Sequence, residues 1–362
     1  MAGRPGDGNG VASPAIELVV TDALIVGAGP VGLFQVFELG LQEIHSHVVD
    51  ALPFVGGQPA QLYPDKPIYD VPGLPVSTGQ SLTDALMKQS SPFEPTFHLS
   101  QTVSGLAQRP DGHFDVQTSK GTRFLTRTVF IAAGVGAFEP KRLNVPGLDA
   151  FEGRQLFHHA SQSGSLQGKR VVVIGDDDHA VDVALEIAQR QEAQARSVTL
   201  MHRRDSLRAD TVRLHKLREQ CERGLLRFLV GQITGVETTD DRLTGIDIGL
   251  PDGGTESLPL DTILSLQGLT PRLGPLADWG LDMEKKLLAV DTASFCTSIP
   301  GVFAVGDINT YPGKRKLLVC GFHECTLAAF AAAAIVHPDR PVRLEYTTSS
   351  TRLHQLLGVL PR

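Results

Sequence analysis

Short, almost unbroken apolar runs divided by glycine-rich or acidic turns set the frame of this chain. Residues 23–26, 128–134, 171–174 and 301–307 each pack mostly apolar residues into a strand's length. That pattern predicts strands buried on both faces of a parallel sheet. The first run leads into Gly27-Ala28-Gly29-Pro30-Val31-Gly32, a helical stretch to about residue 40, and a strand at 46–49 that ends in Asp50. The third leads into Gly175-Asp176-Asp177-Asp178-His179-Ala180, a helix over 181–190, and a strand at 198–201 that ends in His202-Arg203-Arg204. An alanine-rich run, 327–336, stops just before Pro338 and predicts a buried helix. Strands alternating with helices, twice over, predict the α/β class: two doubly wound nucleotide-binding (Rossmann-like) domains, the second inserted in the first.

Turn signals at Pro146-Gly147 and near Trp279-Gly280 place the boundaries. The outer domain is predicted to be discontinuous, 17–146 joined to 285–350, with 147–284 inserted, a disordered start at 1–16 and a tail at 351–362. The 362 residues, 41% hydrophobic and 20% charged, suit two domains with a core each. The longest apolar run covers about half of what spans a bilayer, and the opening ten residues have no apolar core for a signal peptide, so a cytoplasmic setting is expected. A net charge of −7 argues against general nucleic-acid binding. Cys221, Cys296, Cys320 and Cys325 contain no Cys-x-x-Cys pair, which supports neither a zinc site nor a redox dithiol.

The first loop has the context that makes its glycines meaningful, a strand before and a helix after. Gly27 allows the tight turn, Gly29 lets the backbone approach a pyrophosphate, and Gly32 lets the helix pack on the strand. The helix N-terminus offers unpaired N–H groups and a positive dipole end to phosphate. Asp50 stands roughly 20 residues further on, where a carboxylate accepts hydrogen bonds from ribose hydroxyls. Ligands in such sheets lie beyond the carboxyl ends of strands, and Asp307 sits just past the end of another one. An adenosine dinucleotide is the expected occupant.

These segments, with Gly56-Gly57-Gln58, the stretch from Tyr63 to Gly73, Gly136-Ala137-Phe138-Glu139-Pro140, His202-Arg203-Arg204-Asp205, the stretch from Gly274 to Asp282 and Gly306-Asp307-Ile308-Asn309-Thr310-Tyr311, resemble the ferredoxin–NADP reductases built on the thioredoxin-reductase plan. The likeness covers nearly the whole chain. It implies FAD at the first loop, with Val31 contributing its backbone N–H, Asp50 on the adenosine ribose, and Gln58 and Tyr63 at the flavin end. It further implies Val103 at the adenine by its backbone, Phe138 near the isoalloxazine, Asp307 on the ribityl chain, and Ser349 against the flavin. A homodimer is implied as well. The stretch that holds a dithiol in thioredoxin reductases reads His158-His159-Ala160-Ser161-Gln162-Ser163 here, without sulfur. Electrons must therefore pass from the flavin directly to an outside partner, ferredoxin or flavodoxin. Lys314, Arg315 and Lys316 are the expected docking charges for such an acidic partner. No catalytic acid or base is expected, because the cofactors carry the chemistry.

The second loop carries two opposed signals. Gly175 and Ala180 keep the nucleotide-loop pattern, and His202, Arg203 and Arg204, with Arg208 nearby, replace the ribose-binding acid by groups that suit the 2′-phosphate of NADPH. Yet Asp176 and Asp177 put carboxylates where the family has glycines. Like charges about 4 Å apart repel by roughly 1–4 kcal/mol, against about 1.5–3 kcal/mol from a charge-assisted hydrogen bond. Aspartate also caps helices well, using the N–H groups that phosphate needs. The sequence thus leaves two readings open. One is a reductase passing electrons from NADPH through FAD to ferredoxin or flavodoxin. The other is an FAD-binding protein with an impaired NADPH site, acting as a partner-binding or sensing flavoprotein or reduced by another donor.

Overall fold

The computed structural model describes residues 18–189, 195–342 and 344–359, the side chains of 138–140, 161 and 269–271 excepted. The start expected to be disordered, 1–16, lies outside these residues, as does Arg190 at the predicted end of the second helix. The chain forms two compact units, one from residues up to Ala137 and from Arg272 onward, the other Phe138–Pro271. Both divisions come earlier than the turn residues predict. Leu276 and Leu281, before the expected second boundary, bury into the first unit's core beside Leu24, Val49 and Val103. Leu143 and Val145, before the expected first boundary, pack with Leu148 in the core of the second. A turn is not a domain edge when the apolar residues around it are buried on one side only.

The first unit begins with β1 (Leu18–Val26), α1 (Pro30–Leu41), β2 (Ser46–Val49), α2 (Gly57–Leu62) and α3 (Gly79–Ser90). It continues through β3 (Thr96–His98), β4 (Val103–Gln108), β5 (Phe114–Thr118) and β6 (Arg123–Ile131). The sheet runs β3-β2-β1-β6-β5-β4. Its first four strands are parallel, with Ile25 level with Val48 on one side and Phe130 on the other, and the last two extend it antiparallel.

The second unit carries β7 (Leu156–Phe157), β8 (Arg170–Ile174), α4 (Asp178–Gln189), β9 (Ser197–His202), α5 (Thr211–Glu222) and β10 (Arg227–Val230). After these come β11 (Gln232–Thr239), β12 (Arg242–Gly249), β13 (Thr255–Pro259) and β14 (Thr262–Ser265). A parallel sheet runs β7-β14-β8-β9-β10, beside a separate antiparallel sheet of β11, β12 and β13. In each unit the nucleotide-type loop follows a central strand.

Back in the first unit from Arg272, the chain adds β15 (Val302–Ala304), which pairs in parallel with β6, followed by α6 (Leu318–Val336) and α7 (Thr351–Leu356). At 19 residues, α6 is nearly twice the length of the apolar run that announces it, because Leu318–Thr326 forms its first turns rather than a segment before it. By length and composition it is the one helix among the described residues able to cross a membrane. It packs instead as a core helix. Cys325, Ala328, Ala329, Ala332 and Ala333 are buried with Val36 and Leu39 of α1 and with Phe130 and Phe303, whose rings stack at 4.9 Å. Small side chains on one face let the two helices approach closely.

Candidate functional site

The three glycines of the first loop divide their work as the sequence suggests. Gly27 lies at φ +113°, and a Cβ there would stand 2.4 Å from the carbonyl oxygen of Ala132. A Cβ on Gly32 would stand 1.9 Å from the oxygen of Gly27. Both positions are closed by backbone. Gly29 is different, for its Cβ would meet nothing nearer than Gly57 Cα at 3.8 Å. As the N-cap of α1 it supplies no side chain, Pro30 has no N–H to satisfy, and the first turn holds no acid. The positive end of α1 is therefore bare beside an open backbone, the arrangement that accepts a pyrophosphate.

The surrounding residues close on that loop. Gly56 N–H donates to Ala28 O at 2.8 Å, bringing Gln58 and α2 alongside. Asp50, at the end of β2, accepts from the N–H of Ala28 at 2.5 Å and of Leu52 at 2.7 Å. Burial raises its pKa above the ordinary carboxylate value and the two backbone donors oppose that rise. Each of its oxygens retains a second lone pair for a hydroxyl. The Val103 side chain is buried, so the residue has only backbone to offer. Tyr63 caps the end of α2, and its phenol is held above its usual pKa by desolvation, then by the charges of Asp307 and Asp70. Asp307 is half-buried in the turn after β15, and burial raises its pKa too.

Val31 adds to this site by packing as well as by its backbone. Cβ atoms on Gly306 and Gly321 would press on its side chain at 3.3 and 2.6 Å, so α1, the Asp307 turn and α6 meet around it. The structure does not bring Ser349 to the group. Its tail is tied to the far end of α1 by Arg352, which donates to Gly40 O at 2.7 Å, and Ser349 Oγ donates to Tyr346 O at 3.1 Å. About three helical turns separate Gly40 from Gly29. The side chain of Phe138 lies outside the described residues.

One cluster was not foreseen. Lys314, expected as a docking charge, is buried and ion-paired with the fully buried Glu324. Glu324 also accepts from Gly306 N–H at 2.7 Å, Asn309 Nδ2 at 2.8 Å and Tyr311 OH at 3.0 Å. The expectation fails because Lys314 reads as one of three adjacent cations, while its partner sits in an apolar helix further along the chain. Only Arg315 and Lys316 are exposed.

The second loop is satisfied from within. Gly175 is needed, since a Cβ would press on Ala180 Cβ at 2.5 Å and Leu266 O at 2.6 Å. Asp177 Oδ1 accepts from Ala180 N–H at 3.0 Å, which caps α4 and takes a donor that a phosphate would use. Asp176 grips Arg208 bidentately, Nε at 2.7 Å and Nη2 at 2.9 Å, and its backbone oxygen accepts from Arg208 N–H at 2.5 Å. That guanidinium holds the Asp176 carboxyl below its ordinary pKa, and His202 stands 3.8 Å away. Asp178 accepts from Asp210 N–H at 2.8 Å, and Arg213 is shared by Asp182 and Asp210. Arg203 and Arg204 are exposed and make no ion pair among the described residues. Of the expected phosphate readers, then, Arg208 is engaged and these two are available.

The comparisons agree with this picture. Residues 21–324 match the pyridine nucleotide-disulphide oxidoreductase family. The chain is 55% identical over 341 residues to a ferredoxin–NADP reductase of Polaromonas naphthalenivorans, covering 94% of this chain and 93% of the relative. It is 54% identical over 347 residues to ferredoxin–NADP reductase 2 of Cupriavidus metallidurans, covering 96% and 94%. The solved thioredoxin reductase of T. acidophilum shares the fold, with a TM-score of 0.57 and 20% identity over 87% of this chain and 98% of that one. With its paired nucleotide loops and a close likeness along nearly its whole length, this chain belongs to the pyridine nucleotide-disulphide oxidoreductase family, in company with ferredoxin–NADP reductases.

Proposed function

We propose that this chain is a ferredoxin–NADP reductase, holding FAD in its first unit and taking NADPH as substrate in its second. The observation that carries the reading is the bare N-terminus of α1 beside the open face of Gly29, with Asp50 at hand for a ribose. Bound FAD supplies the two-electron to one-electron conversion that links a hydride donor to a single-electron acceptor. The chain's own residues bind and orient. Gly29 and the α1 N–H groups take the pyrophosphate, Asp50 a ribose, and Asp307 the ribityl chain, while Arg203 and Arg204 read the 2′-phosphate of NADPH. With no sulfur in 158–163, electrons leave the flavin directly for ferredoxin or flavodoxin. Arg315 and Lys316 provide docking charge. The test is NADPH-dependent reduction of ferredoxin, coupled to a cytochrome, by purified protein with its FAD content measured. FAD near one per chain with ferredoxin-dependent turnover supports the reading, and a colourless protein refutes it.

The Asp177 cap and the Asp176–Arg208 pair favour a second reading, in which a different donor reduces the flavin. NADPH would compete with these contacts for Ala180 N–H and for the Arg208 guanidinium. The reductase reading therefore carries a specific expectation, weak NADPH binding that improves when the aspartates are removed.

A further inference from the structure

The turn that presents Asp307 is fastened by a buried ion pair, Lys314 with Glu324. Glu324 on α6 accepts four donors from one short segment: Gly306 N–H, Asn309 Nδ2, Tyr311 OH and Lys314 Nζ. Four is about the acceptor capacity of a carboxylate, so none of it is left for a ligand. Lys314 in turn donates to Gly306 O at 2.9 Å. Both peptide groups of Gly306 are thereby committed, its N–H to the anion and its C=O to the cation. Gly306 itself lies at φ +80°, with Val31 of α1 against its Cβ position, so the turn is held from the other side too. Asp307 follows immediately. In contrast to Glu324, its carboxylate makes no hydrogen bond among the described residues and is half-buried. Glu324 is saturated, whereas Asp307 has the charges of Lys314 and Lys316 nearby but no hydrogen-bond partner among the described residues.

We propose that Lys314, Glu324 and Tyr311 are positioning residues that act through Asp307, holding its carboxylate ready for the ribityl hydroxyls of FAD. This rests on the reading of the first site given above. The ion pair tethers the turn on one side, and the packing of Gly306 on Val31 ties the same turn to the pyrophosphate-binding helix. The two ends of the cofactor are thus gripped by one connected piece of structure.

The experiment is a double-mutant cycle on FAD affinity, using the full-length chain stripped of flavin and titrated with FAD by fluorescence quenching. Coupled residues give non-additive losses, and independent ones give additive losses. Glu324→Gln is expected to weaken FAD binding tenfold or more in the wild-type background, and less than threefold beside Asp307→Asn. Tyr311→Phe removes a single donor, is expected to fold, and should weaken binding two- to fivefold with no effect beside Asp307→Asn. It therefore decides the matter even where Glu324→Gln or Lys314→Met fails to fold. Additive losses, or an unchanged FAD affinity in Tyr311→Phe and Glu324→Gln, would overturn the proposal while leaving the FAD site intact. A wild-type chain that binds no FAD would instead overturn the reading beneath it.

Discussion

Asp177 does for α4 what a bound pyrophosphate would do, and that gives its removal two opposite effects. Asp177→Gly should cost a few tenths to about 1 kcal/mol as a helix cap is lost, lowering the melting temperature slightly. The same change should tighten NADPH binding about tenfold by freeing Ala180 N–H and removing a charge. Calorimetry and NADPH titration on one preparation check both signs, and a variant that loses stability without gaining affinity contradicts the account. Glu38 carries a second prediction at this scale. Buried in α1, its carboxyl is pushed up from 4.5 to about 7 by desolvation, opposed by a hydrogen bond with Thr326. The native state therefore holds the proton more tightly than the unfolded state. The resulting destabilisation is absent below about pH 4.5, grows through pH 4.5–7 and is complete above pH 7, amounting to about 3 kcal/mol. Glu38→Gln should be the more stable form at pH 8 and should flatten the pH dependence of unfolding in urea between pH 5 and 8.

At the scale of elements, what the sequence announced and what it concealed have physical causes. The loop at Gly27–Gly32 was legible because each constraint on it is local: a tight turn, a strand before, a helix after. The Asp177 cap was legible for the same reason, since an N-cap and its N3 donor are three residues apart. The Lys314–Glu324 pair was not, because α6 reads as an apolar helix and nothing local marks a buried acid in it. Ser349 stands in a run of hydroxyl residues, 347–351, where composition offers no register. The tail's anchorage depends on Arg352 meeting Gly40 O, a contact between distant parts of the chain. The close approach of α6 and α1 gives its own test. Ala329 is fully buried between these elements, and Ala329→Leu should cost about 1–3 kcal/mol by overpacking, measured as a lower urea midpoint.

For the whole molecule, the two nucleotide-type loops are unequal: the helix after the first has no side-chain cap, and the helix after the second is capped by Asp177. With Lys314 buried, removal of Arg315 and Lys316 alone should slow association with an acidic ferredoxin and flatten its dependence on salt. Stopped-flow electron transfer at several ionic strengths checks this, and unchanged rates would move the docking face elsewhere. In a working reductase the first unit holds its flavin and NADPH still reaches the second despite its aspartates. An anaerobic titration of the purified protein with NADPH, followed at the visible flavin absorption, tests both halves at once. The account predicts bleaching by NADPH at high concentration in the wild type and at lower concentration in Asp176→Gly/Asp177→Gly. A flavin that stays oxidised with NADPH in both proteins, yet bleaches with dithionite, would contradict it and point to another electron donor.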